Sequence, residues 1–130
     1  MYSYNLGLQF DVIAEQHANR PAIVFPEGPV ITYESLNNTS NQLARCMLRC
    51  GIRAGDVVCI SGDKDLISFA AMIASLKIGA IYCVLDPGSP IERIYKILAA
   101  CTPRMILANQ SLLEDLHTFD ISPDIIPLPK

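Results

Sequence analysis

The chain has 130 residues, of which 51% are hydrophobic, and its formal net charge is −3. This length and composition allow one domain with a hydrophobic core and exclude a disordered segment. The charge balance and the lack of a basic stripe argue against nucleic acid as a partner. No apolar segment is long enough to span a bilayer and the start lacks signal-peptide features, so we expect a protein without a membrane partner.

The N-terminal quarter predicts one helix and one hairpin. Apolar side chains recur at helical spacing over residues 6–18, and the helix ends before Pro21 because the residue preceding a proline avoids the helical region. The predicted inward face consists of Leu6, Phe10, Ile13, Ala14 and His17. Residues 22–25 and 30–33 are short apolar runs around a Pro/Gly turn, a pattern typical of a β-hairpin.

A second helix is predicted from about Tyr33 to Cys50. Thr32 is its expected N-cap, and Gly51 is the expected left-handed stop. The predicted apolar stripe is Leu36, Leu43, Met47 and Cys50, and the predicted polar side is Asn37, Asn38, Ser40, Asn41 and Gln42.

The middle of the chain has the pattern of a complete βαβ unit. Residues 57–61 and 80–85 are continuous apolar runs, typical of strands covered on both faces of a parallel sheet. The helix between them, residues 66–78, is apolar almost all round, which predicts burial on more than one side. Asp63 is the expected cap of this helix and Gly79 its stop.

The C-terminal part predicts a helix at residues 91–100 with Ser89 as its cap, a strand at residues 105–108 and a short helix at residues 111–117. Residues 121–130 contain three prolines. We interpret them as extended chain or as a connector to something that follows.

The five cysteines are odd in number and lie inside predicted helices and strands, which indicates reduced thiols in a cytoplasmic protein. Cys46 and Cys50 are one helical turn apart, as in a metal or redox pair, but no second cysteine or histidine pair completes a site. We therefore expect both, like Cys59, Cys83 and Cys101, to be buried as small apolar residues.

Two predicted strand ends are candidate ligand sites, because open α/β sheets bind ligands at the carboxyl ends of their strands. The loop at residues 61–65 has one glycine and two aspartates, a poor cradle for phosphate, so we interpret it as strand end and helix cap. Asp86 is interpreted as a turn residue, and His17 and His117 as surface or capping residues. The sequence therefore predicts no catalytic, cofactor-binding or metal-binding residue in this chain.

Five segments carry a family resemblance. Residues 76–87 (LKIGAIYCVLDP) resemble the LKAGxAYVPLDP motif of the adenylate-forming enzymes, and residues 89–94 (SPIERI) follow as the YPxERI continuation does. Residues 31–37 (ITYESLN) resemble the LTYxELN motif of the same family, residues 41–44 (NQLA) its NxLA, and residues 51–58 (GIRAGDVV) its GVxxGDxV. The five matches stand in the family's order and are spread over residues 31–94.

Within that family, the Leu-Asp-Pro and Pro-x-Glu-Arg segments are most similar to amino-acid adenylation domains of nonribosomal peptide synthetases. Cys83 stands where valine is usual, Val84 where proline is usual, and Gly88-Ser89 replaces a residue–tyrosine pair. The resemblance implies an α/β fold with three layers, a parallel and partly mixed sheet flanked by helices, as in the family's N-terminal subdomain. It places a partial subdomain at residues 1–120 and the tail or connector at residues 121–130.

The resemblance also implies a reaction in the full-length family. A carboxylate, here expected to be an amino acid, reacts with ATP to give an acyl-adenylate that is loaded onto the thiol of a carrier protein. The family's phosphate loop, magnesium motif and catalytic lysine lie beyond the segments matched here. We therefore expect this chain alone to bind no ATP or magnesium and to be inactive, with the remainder of the adenylation domain as its partner.

Two other hypotheses stay open. A self-contained α/β binding module of the flavodoxin or receiver type ranks low, because the sequence lacks a Ser/Thr-rich phosphate loop and an acidic cluster with a late lysine. A non-enzymatic remnant that pairs with another chain shares the same motifs as the adenylation hypothesis. In a partial domain, surfaces that normally meet the rest of the enzyme are open, which predicts self-association to a dimer or higher oligomer.

Overall fold

The computed structural model describes residues 5–86, 88–116 and 124–127. The described elements are α1 (Leu6–Gln16), β1 (Pro21–Val24), β2 (Val30–Thr32), α2 (Tyr33–Arg49), β3 (Val57–Ser61), α3 (Leu66–Lys77), β4 (Ile81–Leu85), α4 (Ile91–Cys101), β5 (Met105–Ala108), α5 (Gln110–Leu116) and β6 (Asp124–Pro127). Each predicted helix and strand is present with ends shifted by at most two residues. The sequence did not predict β6 as a separate strand, and His117 lies outside the described residues.

The sheet is parallel, with strand order β4-β3-β5-β6, and the antiparallel pair β1-β2 stands apart from it. The register places Cys59 of β3 beside Cys83 of β4 on one side and Ile106 of β5 on the other. β6 pairs in parallel with β5. This arrangement confirms the predicted fold class, an α/β layer structure with helices flanking a parallel sheet.

Two hydrophobic cores cover the two faces of the sheet. On one face, α2 and α3 pack against β3 and β5, and the buried residues are Ala44, Met47, Ile52, Val58, Ile60, Ala71, Ala74, Ala80, Met105 and Leu107. On the other face lie α4 and α5, and the buried residues are Cys59, Leu85, Ile94, Leu98, Ile106, Ala108, Leu112 and Leu116. The helix α3 also contacts α1 and β4, so the prediction that it is buried on several sides is confirmed.

The first helix packs through small residues rather than through its large ones. Gly7 and Ala14 are buried, whereas Leu6 and Ile13 are 61% and 44% exposed, so the predicted inward face of α1 is wrong in part. A Cβ added at Gly7 would lie 2.5 Å from the backbone nitrogen of Lys77. The face of α1 that carries Gly7 and Ala14 points inward, because glycine lets the backbones of α1 and α3 approach closely.

Helix caps follow the prediction in α2 and depart from it at the N-termini of α3 and α4. Thr32 accepts the backbone N–H of Ser35 at 3.2 Å, and α2 ends before Gly51, which has φ +91°, as predicted. The cap of α3 is Asp65, not Asp63. At α4 the N-cap residue is Pro90 without a side-chain hydrogen bond, so the predicted Ser89 cap is wrong.

Burial also differs from the prediction at two places. Cys46 and Cys50 are exposed, not buried, because the inward stripe of α2 runs through Leu36, Ser40, Ala44 and Met47. The predicted polar side of α2 is therefore wrong at Ser40, whose hydroxyl donates to the Asn37 carbonyl at 2.8 Å inside the protein.

The strand β4 is exposed over most of its length, although its sequence predicts a strand covered on both faces. Ile81, Tyr82 and Val84 are 56%, 38% and 42% exposed. The reason is topological: β4 is the edge strand, with β3 as its single neighbour in the sheet order.

Candidate functional site

The strand order creates a crevice at the carboxyl ends of β3 and β5. After β3 the chain passes to α3 on one face of the sheet, and after β5 it passes to α5 on the other face. Adjacent strands whose connections diverge in this way form the place where open α/β sheets bind ligands. The residues lining this crevice are Ser61, Leu85, Asp86, Ser89, Ile94, Asn109, Ser111 and Leu112.

Asn109 ties together the two loops that flank the crevice. Its side-chain N–H₂ donates to Asp63 Oδ1 at 2.8 Å, and its Oδ1 accepts the backbone N–H of Leu112 at 2.8 Å. One side chain therefore caps α5 and holds the loop after β3. We did not predict this residue, although an asparagine just before a helical run is an N-cap signal.

In the loop after β3, the glycine packs against β4 and one aspartate caps α3. The Gly62 N–H donates to the Leu85 carbonyl at 2.9 Å, and a Cβ at Gly62 would lie 2.6 Å from Val84 Cγ1. Asp65 accepts the backbone N–H of Ser68 at 2.9 Å. The interpretation of this loop as strand end and helix cap is confirmed, with Asp65 as the capping residue.

Asp86 shapes the turn at the end of β4. Its Oδ1 accepts the backbone N–H of Gly88 at 2.9 Å, and its carbonyl accepts the N–H of Ser89 at 3.0 Å. The interpretation of Asp86 as a turn residue is confirmed. His17 occupies the C-cap position of α1, where its N–H donates to the Ile13 carbonyl at 2.9 Å, in agreement with the predicted capping role.

The crevice has one polar group without a hydrogen-bond partner. Ser61 is 1% exposed, and its Oγ has no partner among the described residues, while its carbonyl accepts the Ser68 hydroxyl at 2.9 Å. The cavity volume is about 20 Å³. A volume of this size holds roughly one water molecule.

The residues around this crevice do not form a phosphate-binding cradle. The carboxylates of Asp63 and Asp86 lie at its rim, and they would repel phosphate oxygens. Among residues 5–86, 88–116 and 124–127, no group of three or more His, Cys, Asp or Glu side chains is placed to hold a metal ion.

A second polar cluster lies between the first three helices. The side chain of Lys77 is 6% exposed, and its Nζ donates to Asp11 Oδ1 at 2.8 Å, to Asn41 Oδ1 at 2.6 Å and to Asn37 Oδ1. The ring of Phe10 lies 5.8 Å from the ammonium. One carboxylate and two amide oxygens thus replace the water that this charge loses on burial.

The sequence analysis did not predict this Lys77 cluster. Its partners on α1 and α2 are 66, 40 and 36 residues away along the chain. No local pattern signals such a pairing. The cluster leaves no donor of the ammonium open to a ligand, since three oxygens already accept from it.

Comparison with known proteins identifies the relatives of this arrangement. The family model described as AMP-binding enzyme matches residues 10–126. Malformin synthetase mlfA from Aspergillus vadensis is 35% identical over 117 residues, covering 88% of this chain and 2% of that protein. The luciferase-like enzyme of the Zophobas morio mealworm superposes with a TM-score of 0.86 at 26% identity, covering 100% of this chain and 33% of that enzyme.

A third comparison concerns a subdomain structure. The N-terminal subdomain of Klebsiella oxytoca NpsA superposes with a TM-score of 0.75 at 25% identity, covering 95% of this chain and 31% of that one. The chain thus spans about a third of these solved structures and a small fraction of the malformin synthetase. In the described part of the chain, no helix combines the length and the apolar character that crossing a membrane requires.

Proposed function

Because the chain belongs to the AMP-binding enzyme family, we propose that it is the structural N-terminal part of an amino-acid adenylation domain like those of nonribosomal peptide synthetases. In the complete enzyme an amino-acid carboxylate reacts with ATP and magnesium to give an acyl-adenylate, which is transferred to the thiol of a carrier protein. In this proposal the chain contributes a framework of sheet and helices, and the reacting groups come from the remaining part of the domain.

The observation that carries the scaffold role is the filled edge of the sheet. This edge is the place where an open α/β sheet would hold a nucleotide. Here the Asn109 side chain donates to Asp63, and the Gly62 N–H donates to the Leu85 carbonyl of β4. The remaining cavity is about 20 Å³. Carboxylates occupy the rim instead of phosphate-binding N–H groups. We therefore propose that this chain contains no catalytic, cofactor-binding or metal-binding residue and has no adenylation activity alone.

The domain division and the location belong to the same proposal. We assign residues 1–120 to the partial subdomain and residues 121–130 to a connector toward the remaining part of the domain. Asp124–Pro127 pairs with β5, so part of this connector extends the sheet.

A cytoplasmic location is supported by the five cysteines, which form no disulfide.

A second candidate function is that of a non-enzymatic interaction protein, and the exposed edge strand favours it. In β4, Ile81, Tyr82 and Val84 are exposed at an edge of the described sheet, and the strand contains no charge or proline. The same edge would contact the remaining part of the enzyme in the first proposal. In the isolated chain it favours association with a second copy.

Amino-acid-dependent ATP–pyrophosphate exchange tests the first proposal. The purified chain is assayed with magnesium, ATP and a pool of amino acids, and a complete adenylation protein of the family serves as the positive control. We expect no exchange above the blank without amino acids. Substrate-dependent exchange by the chain alone would refute the scaffold role.

Light scattering tests whether the isolated chain associates through β4. We expect dimers or larger species at high protein concentration, and a shift toward monomer in the variant Ile81→Lys. Leu48→Lys is the matched control, because Leu48 is similarly exposed (46%) but lies on α2, away from the sheet edge. A monomer at all concentrations, or equal effects of both variants, would count against association through β4.

A further inference from the structure

Three cysteines from three different elements meet on the face of the sheet that α4 covers. Cys59 of β3 and Cys83 of β4 are neighbours in the parallel register, so their side chains point to the same face. Cys59 belongs to the hydrophobic core on that face, and Cys83 packs against it.

Helical spacing brings the third cysteine to the same place. The inward residues of α4 are Ile94 and Leu98, and Cys101 follows Ile94 by seven residues and Leu98 by three. Residues at these spacings share one face of a helix, so Cys101 extends the inward stripe of α4. Both Cys83 and Cys101 are half-buried, whereas Cys59 is fully buried.

The thiols lie close enough to influence one another's ionisation. Burial raises the pKa of Cys59 to about 12, and the neighbouring Cys83 and Cys101 add to this rise. Burial also raises the pKa of Cys83, with further contributions from the charge of Cys101 and a hydrogen bond to it. The three thiols therefore lie near one another on this face of the sheet.

We propose that Cys83 and Cys101 form an oxidation-sensitive dithiol, a modification site at which a hydroperoxide closes a disulfide between β4 and the end of α4. These two residues are the half-buried members of the group, whereas Cys59 is fully buried. The exposed cysteines Cys46 and Cys50 are on α2, which covers the opposite face of the sheet, and take no part in this site.

The reaction proceeds in two balanced steps. First, the sulfur of one thiol attacks a peroxide oxygen and the O–O bond breaks. The cysteine becomes a sulfenic acid, and one water (or alcohol) leaves. Second, the sulfur of the other thiol attacks the sulfenic sulfur, the S–O bond breaks, and the disulfide and a second water form. With hydrogen peroxide, two thiols lose two electrons and two protons, and the peroxide is reduced to two waters. The thiolate is the reactive form, so the raised pKa of Cys83 slows its attack on the peroxide.

The consequence of the disulfide is mechanical. β4 is the exposed edge strand, and Cys101 is the last residue of α4. A covalent bond between them closes the chain segment that runs from β4 through α4 and fixes the edge strand to its covering helix. Any partner that contacts this edge would then meet a more rigid surface.

The test uses non-reducing peptide mapping by mass spectrometry. The double variant Cys46→Ser/Cys50→Ser, which retains Cys59, Cys83 and Cys101, is treated with hydrogen peroxide in native buffer, then denatured, alkylated and digested. We expect an intramolecular Cys83–Cys101 cross-linked peptide and an alkylated Cys59 peptide. The unsubstituted chain, mapped in parallel, should give the same cross-link, which keeps the result independent of the serine substitutions.

The matched control is Cys101→Ser in the same background. There we expect the Cys83–Cys101 cross-link to disappear and Cys83 to end as a sulfenic or sulfinic acid or in a disulfide with Cys59. The proposal is overturned if all three thiols remain alkylatable after oxidation, or if Cys83 is found only in intermolecular disulfides or over-oxidised forms while Cys101 is present. It is also overturned if Cys59, not Cys101, is the main partner of Cys83 in the parent protein.

Discussion

The Lys77 cluster and the crevice at the ends of β3 and β5 are two places where polar side chains gather in the described part of the chain. In the cluster, a buried ammonium donates to three oxygens from two other helices. In the crevice, side chains tie loops together at the protein surface, and the buried hydroxyl of Ser61 has no partner among the residues that the structure describes. Both places hold structure together, but only the cluster does so with a desolvated charge. Loss of the cluster should therefore cost much more stability than loss of the crevice contacts.

Lys77→Met should be the most harmful substitution. It keeps the apolar stem but leaves the oxygens of Asp11, Asn37 and Asn41 without their donor. We expect the free energy of unfolding to fall by roughly 2 to 4 kcal/mol, as when one partner of a buried pair is removed. Urea denaturation measures this value. Lys96→Met, an exposed position on α4, is the control and should change stability by less than about 0.5 kcal/mol. Equal losses in the two variants would contradict the assignment.

Gly7→Ala should have the next largest effect. The added methyl group meets the backbone of Lys77 at 2.5 Å, and neither helix can yield without moving the cluster. We expect a loss of about 1 to 3 kcal/mol, the usual cost of overpacking. In the control Gly88→Ala, the new Cβ finds its nearest atom at 3.4 Å, an ordinary contact. Thermal unfolding of both variants should separate them, and an unchanged midpoint in Gly7→Ala would show that α1 sits differently.

Asn109→Ala addresses the crevice and should cost about 1 kcal/mol, because α5 loses its cap and the loop after β3 loses a tie. A double-mutant cycle with Asp63→Ala isolates the bond between the two side chains. We expect a coupling of roughly 0.5 kcal/mol. Strictly additive effects would mean that the two side chains do not interact in solution.

Ser61→Ala should have the smallest effect. The hydroxyl is buried without a partner, so its removal costs no hydrogen bond and relieves a desolvated polar group. We expect a change within about 0.5 kcal/mol, or a slight gain. Chemical denaturation decides the matter, and a loss above about 1 kcal/mol would reveal a bound water or ligand that accepts from this hydroxyl.

The sequence predicted the elements and their order well because local signals determined them. Thr32, Gly51 and Gly79 are chemical requirements of helix ends, and they were found where expected. The family motifs also lie in segments that build β2, α2, β3, α3 and β4, so they identified the fold correctly.

What the sequence did not predict depends on which elements become neighbours. Lys77 finds Asp11, Asn37 and Asn41 only after three helices pack together. The apolar sequence of β4 is the same whether it lies at the centre or at the edge of a sheet, so its exposure was not predictable from the pattern. The outward direction of Cys46 and Cys50 follows from the rotation of α2 about its axis, which buried Ser40 rather than a cysteine.

A titration of isotope-labelled protein with magnesium-ATP, followed by amide chemical shifts, tests the scaffold role most directly. The amides of residues 61–65 and of Asn109 report on the one edge of the described sheet where a nucleotide would be expected. We predict that these signals do not move up to millimolar nucleotide. Saturable shifts at this edge would contradict the scaffold role and identify the crevice as a binding site.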